Sequence, residues 1–223
     1  MGDANSRTIL IKGGKIVTEK GVFLEDLLIR GEQIVEIEKS TEYEIDKTVD
    51  ATGLLVFPGA IDTHIHLNDV FMNTVSVHDY FTGTLAAAFG GVTSVIDFSN
   101  QRHGDSLVAT IRDKESEAAG KALIDWGVHP VITDPNQTTL KEIRDVVQMG
   151  SPTIKCYMTY REEGLLIGDE DLQSISEALC SAGGMLLLHQ EDNEMAETGI
   201  KRELDGGGFS PPHHALSKPT EVE

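Results

Sequence analysis

The first residues of this sequence whose types and spacing could perform chemistry are His64 and His66. Alternate residues of a strand point to the same face of a sheet, so these two imidazoles would project together, with Asp62 on the same face. Imidazole is the commonest metal ligand among protein side chains, and the spacing therefore favours a metal site. A His-X-His pair also occurs on ordinary surface strands, so this one needs support from elsewhere in the chain.

The second candidate is Lys155, which lies within the otherwise apolar segment 153–159. An unpaired ammonium group is heavily penalised inside a protein, so this lysine needs an explanation. One explanation is an edge strand from which the amine reaches water. The other is a buried amine of lowered pKa, suited to Schiff-base chemistry or to carbamylation by carbon dioxide. A carbamylated lysine carries a carboxylate that could bridge two metal ions, and the sequence leaves both explanations open.

The third candidate is His189, at the end of the apolar run 185–188. Alone, it fits a hydrogen-bonded structural histidine as well as it fits a metal ligand. The combination is more specific than its parts, because a His-X-His pair, a lysine and a histidine occupy three separate strand candidates.

The segments that must position these residues alternate between strand and helix patterns from Pro58 onwards. Apolar strand candidates occupy 60–65, 93–98, 123–132, 153–159 and 185–189, and helical spacing occupies 77–89, 106–119, 139–149, 169–182 and 193–204. Such alternation predicts a parallel sheet covered by helices. Active sites of (β/α)8 barrels lie at the carboxyl ends of the strands, where both histidine candidates fall. We predict an α/β fold, a partial TIM-type barrel of about five units, although an open doubly wound sheet shares this order of elements.

A different pattern precedes residue 58. Short β-rich segments at 8–12, 15–18, 27–30, 33–37 and 54–57 are separated by turn signals at Gly13-Gly14 and Arg30-Gly31-Glu32, which are typical of hairpins. We predict a small antiparallel, sandwich-like domain at 1–57 and the barrel portion at 58–223. A complete barrel has eight units in about 250 residues. We therefore expect the N-terminal part of a longer enzyme, with a loop at 210–219 before another helix at Thr220.

Several motifs carry a family resemblance. They are FPGAIDTHIHL at 57–67, residues 79–93 with Asp97-Phe98, IKCYMTY at 154–160, His189 with Glu191, and HALSKP at 214–219. With them the chain resembles, over essentially its whole length, the dihydropyrimidinases and D-hydantoinases, the cyclic-amidohydrolase branch of the amidohydrolase superfamily. The resemblance implies hydrolysis of the amide bond of a cyclic ureide, which would yield an N-carbamoyl amino acid.

The resemblance also implies a role for each candidate residue. His64 and His66 would bind one of two divalent metal ions, expected to be zinc, and His189 would bind the other. Lys155, carbamylated, would bridge the two ions, which would hold the attacking hydroxide and polarise the scissile carbonyl. Tyr160 would donate a hydrogen bond to the oxyanion. The family further implies a homo-oligomer, a dimer or tetramer, for the full-length protein.

The sequence departs from the family pattern in two places. Asp192 stands where the family usually has asparagine, and the family's last metal-binding histidine and its catalytic aspartate lie in later strands, so we expect this chain alone to be inactive. Dihydroorotases, from the same superfamily, place an arginine two residues after the His-X-His pair, where this chain has Asn68. A neutral side chain there favours an uncharged ring. Dihydropyrimidines, hydantoins and allantoin stay open as substrates, as does a non-catalytic scaffold relative.

Composition excludes other classes of function. The 223 residues contain 18 Lys and Arg against 37 Asp and Glu, a net charge of −19, which opposes binding to nucleic acid or to an anionic membrane surface. No apolar run approaches the roughly 18 residues of a membrane span. Residues 1–7 lack a signal-peptide pattern, so we expect a cytoplasmic protein. Cys156 and Cys180 predict two buried thiols rather than a disulfide.

Overall fold

A computed structural model describes residues 7–37, 43–71 and 73–223. The first six residues, which form most of the segment compared above with signal peptides, lie outside the described residues. The chain divides into two compact units, Met1–Gly59 and Ala60–Glu223. No helix among the described residues is both long enough and apolar enough to cross a bilayer.

The first unit consists of short strands. They are β1 (Thr8–Lys12), β2 (Lys15–Thr18), β3 (Gly21–Leu24), β4 (Leu27–Arg30), β5 (Gln33–Ile37), β6 (Lys47–Asp50) and β7 (Leu55–Val56). They form a four-stranded sheet in the order β5-β4-β1-β6 and a three-stranded sheet in the order β3-β2-β7. Most pairs are antiparallel, as predicted, and each sheet also contains one parallel pair, β1 with β6 and β2 with β7.

The two predicted hairpin turns have different outcomes. Arg30 pairs with Gln33 in the antiparallel ladder of β4 and β5, so that hairpin is confirmed. The hairpin predicted at Gly13-Gly14 is wrong, because β1 and β2 belong to different sheets. Gly14 is instead required by a close approach, since a Cβ atom there would lie 2.6 Å from Cγ2 of Val56. The sequence pattern also missed β3 and β6.

The second unit contains the remaining elements. Its strands are β8 (Ala60–Ile65), β9 (Val70–Phe71), β10 (Thr74–Val75), β11 (Val92–Asn100), β12 (Asp125–Val131), β13 (Thr153–Tyr157) and β14 (Met185–His189). Its helices are α1 (Tyr80–Phe89), α2 (Leu107–Ala118), α3 (Gln137–Gln148), α4 (Asp169–Ala182), α5 (Asn193–Asp205) and α6 (Pro211–Ser217), followed by a 3₁₀ turn at Thr220–Val222. Strands β9 and β10 form a small antiparallel ribbon.

The central sheet of this unit has five parallel strands in the order β14-β13-β12-β11-β8. Neighbours in the sheet therefore follow one another along the chain, without the reversal of strand order that marks a doubly wound sheet. Helices α2, α3 and α4 also pack side by side in chain order, and α2 contacts both β11 and β12. The predicted partial TIM-type barrel is confirmed.

The core that holds the strand ends in place lies between this sheet and helices α2, α3 and α4. Its fully buried members include Leu107, Ile111, Ile132, Ile143, Val146, Ile154, Ile175 and Leu179. On each helix they recur three or four residues apart, which places them on one face. Burying an aliphatic side chain of this size contributes roughly 1.5–3 kcal/mol, so the apolar spacing that predicted the helices also attaches them to the sheet.

Helix ends follow local capping. Helix α1 begins at Tyr80, later than predicted, because Asp79 forms a capping box with Thr82. Helix α4 has the predicted bounds, but its N-cap is Gly168, which has no side chain to accept a hydrogen bond. Gly183 ends α4 in the left-handed conformation, with φ of 78°.

Two further predictions need correction. Cys156 is buried as predicted, whereas Cys180 is exposed, because it lies on the outer side of α4. The loop predicted at 210–219 is largely the helix α6, which packs against α5. Gly199 of α5 allows this contact, since a Cβ atom there would lie 1.9 Å from the carbonyl oxygen of Ser217.

Candidate metal centre

All five predicted site residues line one cavity of about 570 Å³ in the second unit. They are His64, His66, Lys155, Tyr160 and His189. They come from three strands and the loop after β13, which the parallel sheet brings to one edge. Asp62, also considered from the sequence, is not among the lining residues, and its carboxylate accepts a 3.1 Å hydrogen bond from the backbone N–H of His64.

The two imidazoles of the His-X-His pair lie beside each other at the end of β8. Their ring centroids are 5.4 Å apart, and the buried ring of Phe98 lies 4.5 Å from His64 and 4.9 Å from His66. Partial burial, followed by the nearby charges of His66 and Lys155, lowers the pKa of His64. His64 is therefore biased toward neutral imidazole, which is the form that binds a metal ion.

The orientation of His66 depends on Asp69, a residue that sequence reasoning missed. Oδ2 of Asp69 lies 2.8 Å from Nδ1 of His66, while Oδ1 accepts a 2.8 Å hydrogen bond from Asn100. The backbone N–H of Asp69 donates to the hydroxyl of Ser76. A carboxylate held in this way leaves Nε2 of His66 available as a ligand atom. The available signal was an acidic residue three positions after a histidine in a loop.

Lys155 is buried in the middle of the sheet. Its strand β13 lies between β12 and β14, so the edge-strand explanation is wrong. Lys155 is only 6% exposed, and burial lowers the pKa of its amine. Nζ lies 4.8 Å from the ring centroid of Tyr157 and has no hydrogen-bond or ion-pair partner among the described residues. An amine in these surroundings is suited to reaction in its neutral form.

His189 is linked to the C-terminal segment through Glu191. In the parallel register of β13 and β14, His189 lies opposite Tyr157. Nε2 of His189 lies 3.4 Å from Oε1 of Glu191, and Oε2 of Glu191 accepts a 2.5 Å hydrogen bond from Lys218. Burial alone would raise the pKa of Glu191, but its hydrogen bonds to Lys218 and His189 lower it below the ordinary value. Glu191 is therefore an anion that contacts both His189 and the ammonium of Lys218.

Tyr160 completes the wall of the cavity. Its ring centroid lies 5.4 Å from that of His189, and the ammonium of Lys218 lies 5.4 Å from the centre of the Tyr160 ring. Tyr160 has a φ of 63°, a left-handed conformation that costs a residue with a side chain about 1–3 kcal/mol. Such conformations persist where the surrounding structure imposes them, often at functional sites.

The remaining lining determines what kind of molecule fits. Val70, Phe71, Val75 and Leu165 provide an apolar wall, and no arginine is among the described lining residues. Asn68 does not line this cavity; its side chain donates a hydrogen bond to Glu117 instead. The inference of an uncharged ring from the neutral side chain at position 68 stays a prediction.

The side chains of the cavity fit divalent metal ions on the condition that Lys155 is carbamylated. Among the described residues, no group of three or more His, Cys, Asp and Glu side chains is arranged to hold a metal ion. The cavity does contain His64, His66 and His189, with the unpartnered amine of Lys155 as the further donor. Carbamylation of that amine would supply the missing carboxylate oxygens. The proposed ligand roles stay predictions.

His129 is the other histidine close to this region, and it has a structural role. It is 5% exposed, its Nε2 lies 3.1 Å from the carbonyl oxygen of Thr63, and its Nδ1 contacts the hydroxyl of Thr153. Both ring nitrogens are therefore occupied.

The fold and the cavity together define the class: a partial TIM barrel with histidines at its strand ends. No protein-family model matches the chain. It is 36% identical over 217 residues to the D-hydantoinase of Geobacillus stearothermophilus, covering 97% of this chain and 46% of that protein. It is also 36% identical over 218 residues to the dihydropyrimidinase of Dictyostelium discoideum, covering 97% of this chain and 43% of that protein.

Solved structures agree with these matches. A D-hydantoinase structure superposes with a TM-score of 0.91 at 34% identity, and the dihydropyrimidinase of Brevibacillus agri with a TM-score of 0.92 at 35% identity. In each case the match covers 96% of this chain and 47% of the other. The resemblance predicted from the motifs is confirmed: this chain is similar to D-hydantoinases and dihydropyrimidinases over nearly its whole length. It spans about half the length of these relatives.

Proposed function

We propose that these residues contribute the metal centre of a cyclic amidohydrolase. The reaction would be hydrolysis of the ring amide of a dihydropyrimidine or a hydantoin to an N-carbamoyl amino acid. The observation that carries the proposal is the meeting of His64, His66, Lys155, His189 and Tyr160 around one cavity. The relatives named D-hydantoinase and dihydropyrimidinase support the same class of reaction.

The chain would hold two divalent metal ions, expected to be zinc. His64 and His66 would ligate one ion, His189 the other, and the carbamate of Lys155 both. When bound, such ions polarise a carbonyl group and activate water as a nucleophile. The residues themselves supply orientation: Asp69 fixes the ring of His66, and Glu191 fixes that of His189.

Carbamylation of Lys155 requires only carbon dioxide. The lone pair of the neutral amine forms a bond to the carbon of carbon dioxide. The electron pair of one carbon–oxygen π bond moves onto its oxygen, which becomes a negatively charged oxygen of the carbamate, and the nitrogen releases a proton to solvent. Burial of Lys155 supports this step, because it lowers the pKa of the amine and so raises its neutral fraction. The absence of a carboxylate partner among the described residues leaves Nζ free to react.

The substrate would lie between Tyr160 and the apolar wall of the cavity. The phenol of Tyr160 would donate a hydrogen bond to the carbonyl oxygen as negative charge develops there. Val70, Phe71 and Leu165 would exclude water from the other side of the ring. An uncharged cyclic ureide suits this lining better than a ring that carries a carboxylate, since no lining arginine is present among the described residues.

The proposal is tested by metal binding and carbamate formation together. Purified protein is incubated with Zn²⁺ and ¹³C-labelled bicarbonate, zinc per chain is measured after gel filtration, and ¹³C NMR detects a carbamate carbon. We expect bound zinc and a carbamate signal in the wild type, and loss of both in Lys155→Ala. The exposed lysine of α3 provides the control variant, Lys141→Ala, which should behave as the wild type. Ring opening of dihydrouracil and of 5-substituted hydantoins is then assayed on the zinc-loaded protein, and no turnover is expected from these residues alone.

Two results would overturn the proposal. One is a wild type that retains no zinc and forms no carbamate, which would favour a non-catalytic scaffold. The other is a Lys155→Ala variant that keeps the zinc content of the wild type, because the lysine would then play no part in the centre.

A further inference from the structure

A buried ion pair lies behind the candidate metal centre. Asp97 of β11 is 0% exposed, and Lys114 of α2 is 9% exposed. Nζ of Lys114 lies 3.2 Å from Oδ2 of Asp97. Neither residue lines the cavity that contains the candidate ligands. Their function is therefore not that of ligands, and the contacts they make indicate what it is.

Both charged groups bind the backbone of one residue, Leu67. The N–H of Leu67 donates a 3.3 Å hydrogen bond to Oδ1 of Asp97, and the carbonyl oxygen of Leu67 accepts a 2.8 Å hydrogen bond from Nζ of Lys114. Leu67 directly follows His66 in the chain. Side chains of opposite charge thus hold the N–H and the carbonyl oxygen of the residue that follows His66.

The side chain of Leu67 is held as firmly as its backbone. Leu67 is 6% exposed and packs with Tyr80 and Ala118. A Cβ atom at Gly83 of α1 would lie 2.3 Å from Cδ2 of Leu67, so the glycine leaves room for this side chain. Leu67 therefore occupies one position, determined by β11, α1 and α2 together.

The same part of β11 also supports the imidazoles. The N–H of Phe98 donates a 2.7 Å hydrogen bond to Oδ1 of Asp97. The ring of Phe98 is stacked on that of His66, with an interplanar angle of 17°, and contacts His64 as well. Asp97 thus connects the backbone after His66 to the ring on which both histidines pack.

We propose that Asp97 and Lys114 are positioning residues, which fix the backbone of Leu67 and thereby set the metal affinity of the centre that contains His66. A buried ion pair commonly contributes little net stability compared with apolar residues of similar size. Its value here is directional, because two charged groups specify where the backbone of one residue lies. The effect on metal affinity rests on the proposed function, whereas the effect on the Leu67 backbone does not.

Three variants separate positioning from simple stabilisation. Lys114→Met removes the donor to Leu67, Asp97→Asn removes the charge but keeps an acceptor, and the double variant removes both charges without leaving either one unpaired. Lys114→Arg is the conservative replacement. Lys141→Met and Asp145→Asn, at exposed positions of α3, are the matched controls.

The readouts are amide hydrogen exchange in segment 64–69 of the metal-free protein, Zn²⁺ affinity by competition with a chromophoric chelator, and the melting temperature. We expect faster exchange in this segment and zinc affinity about 10–100-fold weaker in Lys114→Met and in the double variant. Lys114→Arg should restore most of the affinity, and both controls should match the wild type. Where Lys114→Met does not fold, the double variant provides the decisive comparison.

The outcomes distinguish this proposal from the proposed function. A folded double variant with wild-type zinc affinity and wild-type exchange would overturn the positioning role. A lower melting temperature with unchanged zinc affinity and unchanged exchange in 64–69 would also overturn it, since the pair would then be only stabilising. If the wild type binds no zinc, the proposed function fails, and the exchange of segment 64–69 alone decides whether the pair holds Leu67.

Discussion

The carboxylate of Asp69 lies 2.8 Å from Nδ1 of His66, and Asp69 follows His66 by three residues in the chain. Asn100 of β11 donates a 2.8 Å hydrogen bond to the other oxygen of the same carboxylate. The loop after β8 is therefore connected to the neighbouring strand through a group that also orients a candidate ligand. Contacts of this kind raise the basicity of a metal-bound imidazole and limit its rotation.

Replacement of Asp69 by alanine should weaken metal binding while the fold is kept. The side chain lies at the cavity wall rather than in the core, and its loss frees the ring of His66 to rotate. We expect zinc affinity to fall about 10–100-fold, measured by chelator competition. Asp145→Ala, at an exposed position of α3, should leave the affinity unchanged. Equal affinities in the two variants would show that the Asp69–His66 contact is incidental.

The pair formed by Glu191 and Lys218 should be strongly coupled. Their side chains are only 12% and 16% exposed, so removal of one partner leaves a poorly hydrated charge on the other. We expect Lys218→Met to lower the free energy of unfolding by about 1–3 kcal/mol, measured by urea denaturation.

The double variant Glu191→Gln, Lys218→Met provides the control for that experiment. It removes both charges and should recover part of the loss, so that the two single effects do not add. If the changes in the free energy of unfolding caused by Glu191→Gln and by Lys218→Met simply added in the double variant, a direct interaction between these residues in solution would be contradicted.

The two cysteines should differ in reactivity. Burial raises the pKa of the Cys156 thiol to about 12, whereas Cys180 is exposed on α4. Only the thiolate reacts with disulfide reagents, so at pH 8 we expect one fast equivalent in the native protein and a second after denaturation. Cys180→Ser should abolish the fast equivalent. Rapid reaction of both thiols in the native wild type would contradict the burial of Cys156.

The packing of α6 on α5 should weaken in acid. The hydrogen bond from His213 lowers the pKa of Glu203 below its ordinary value of 4.5. A carboxyl group with a lowered pKa in the folded state stabilises that state fully above 4.5 and ceases to do so as pH falls through the lowered value. We expect faster amide exchange in segment 211–217 over that interval, after correction for the intrinsic pH dependence of exchange.

Glu203→Gln is the variant that checks this assignment. It should remove the acid sensitivity of segment 211–217, because the titrating group is gone while the side-chain shape is kept. If the same pH dependence persisted in Glu203→Gln, another group would be responsible.

Local sequence patterns determined most elements of the barrel portion. Strands β8 and β14 and helix α4 have the predicted bounds, because apolar runs, helical spacing and a terminal glycine act between near neighbours. Prediction failed where a local pattern had two meanings. Gly13-Gly14 resembles a hairpin turn but allows a close approach to Val56, and the two prolines that begin α6 are as compatible with a first helical turn as with a loop.

The sequence by itself therefore determined which residue types could act together and on which strands they lie: His64 and His66 on one, Lys155 on another, His189 on a third. The tertiary structure alone decided that β13 is an interior strand, which buries Lys155, and that Asp97 and Lys114 support the His-X-His segment. The physical reason is range. Strand and helix patterns depend on residues a few positions apart, whereas strand order and these contacts join segments that the chain brings together only when the whole sheet forms.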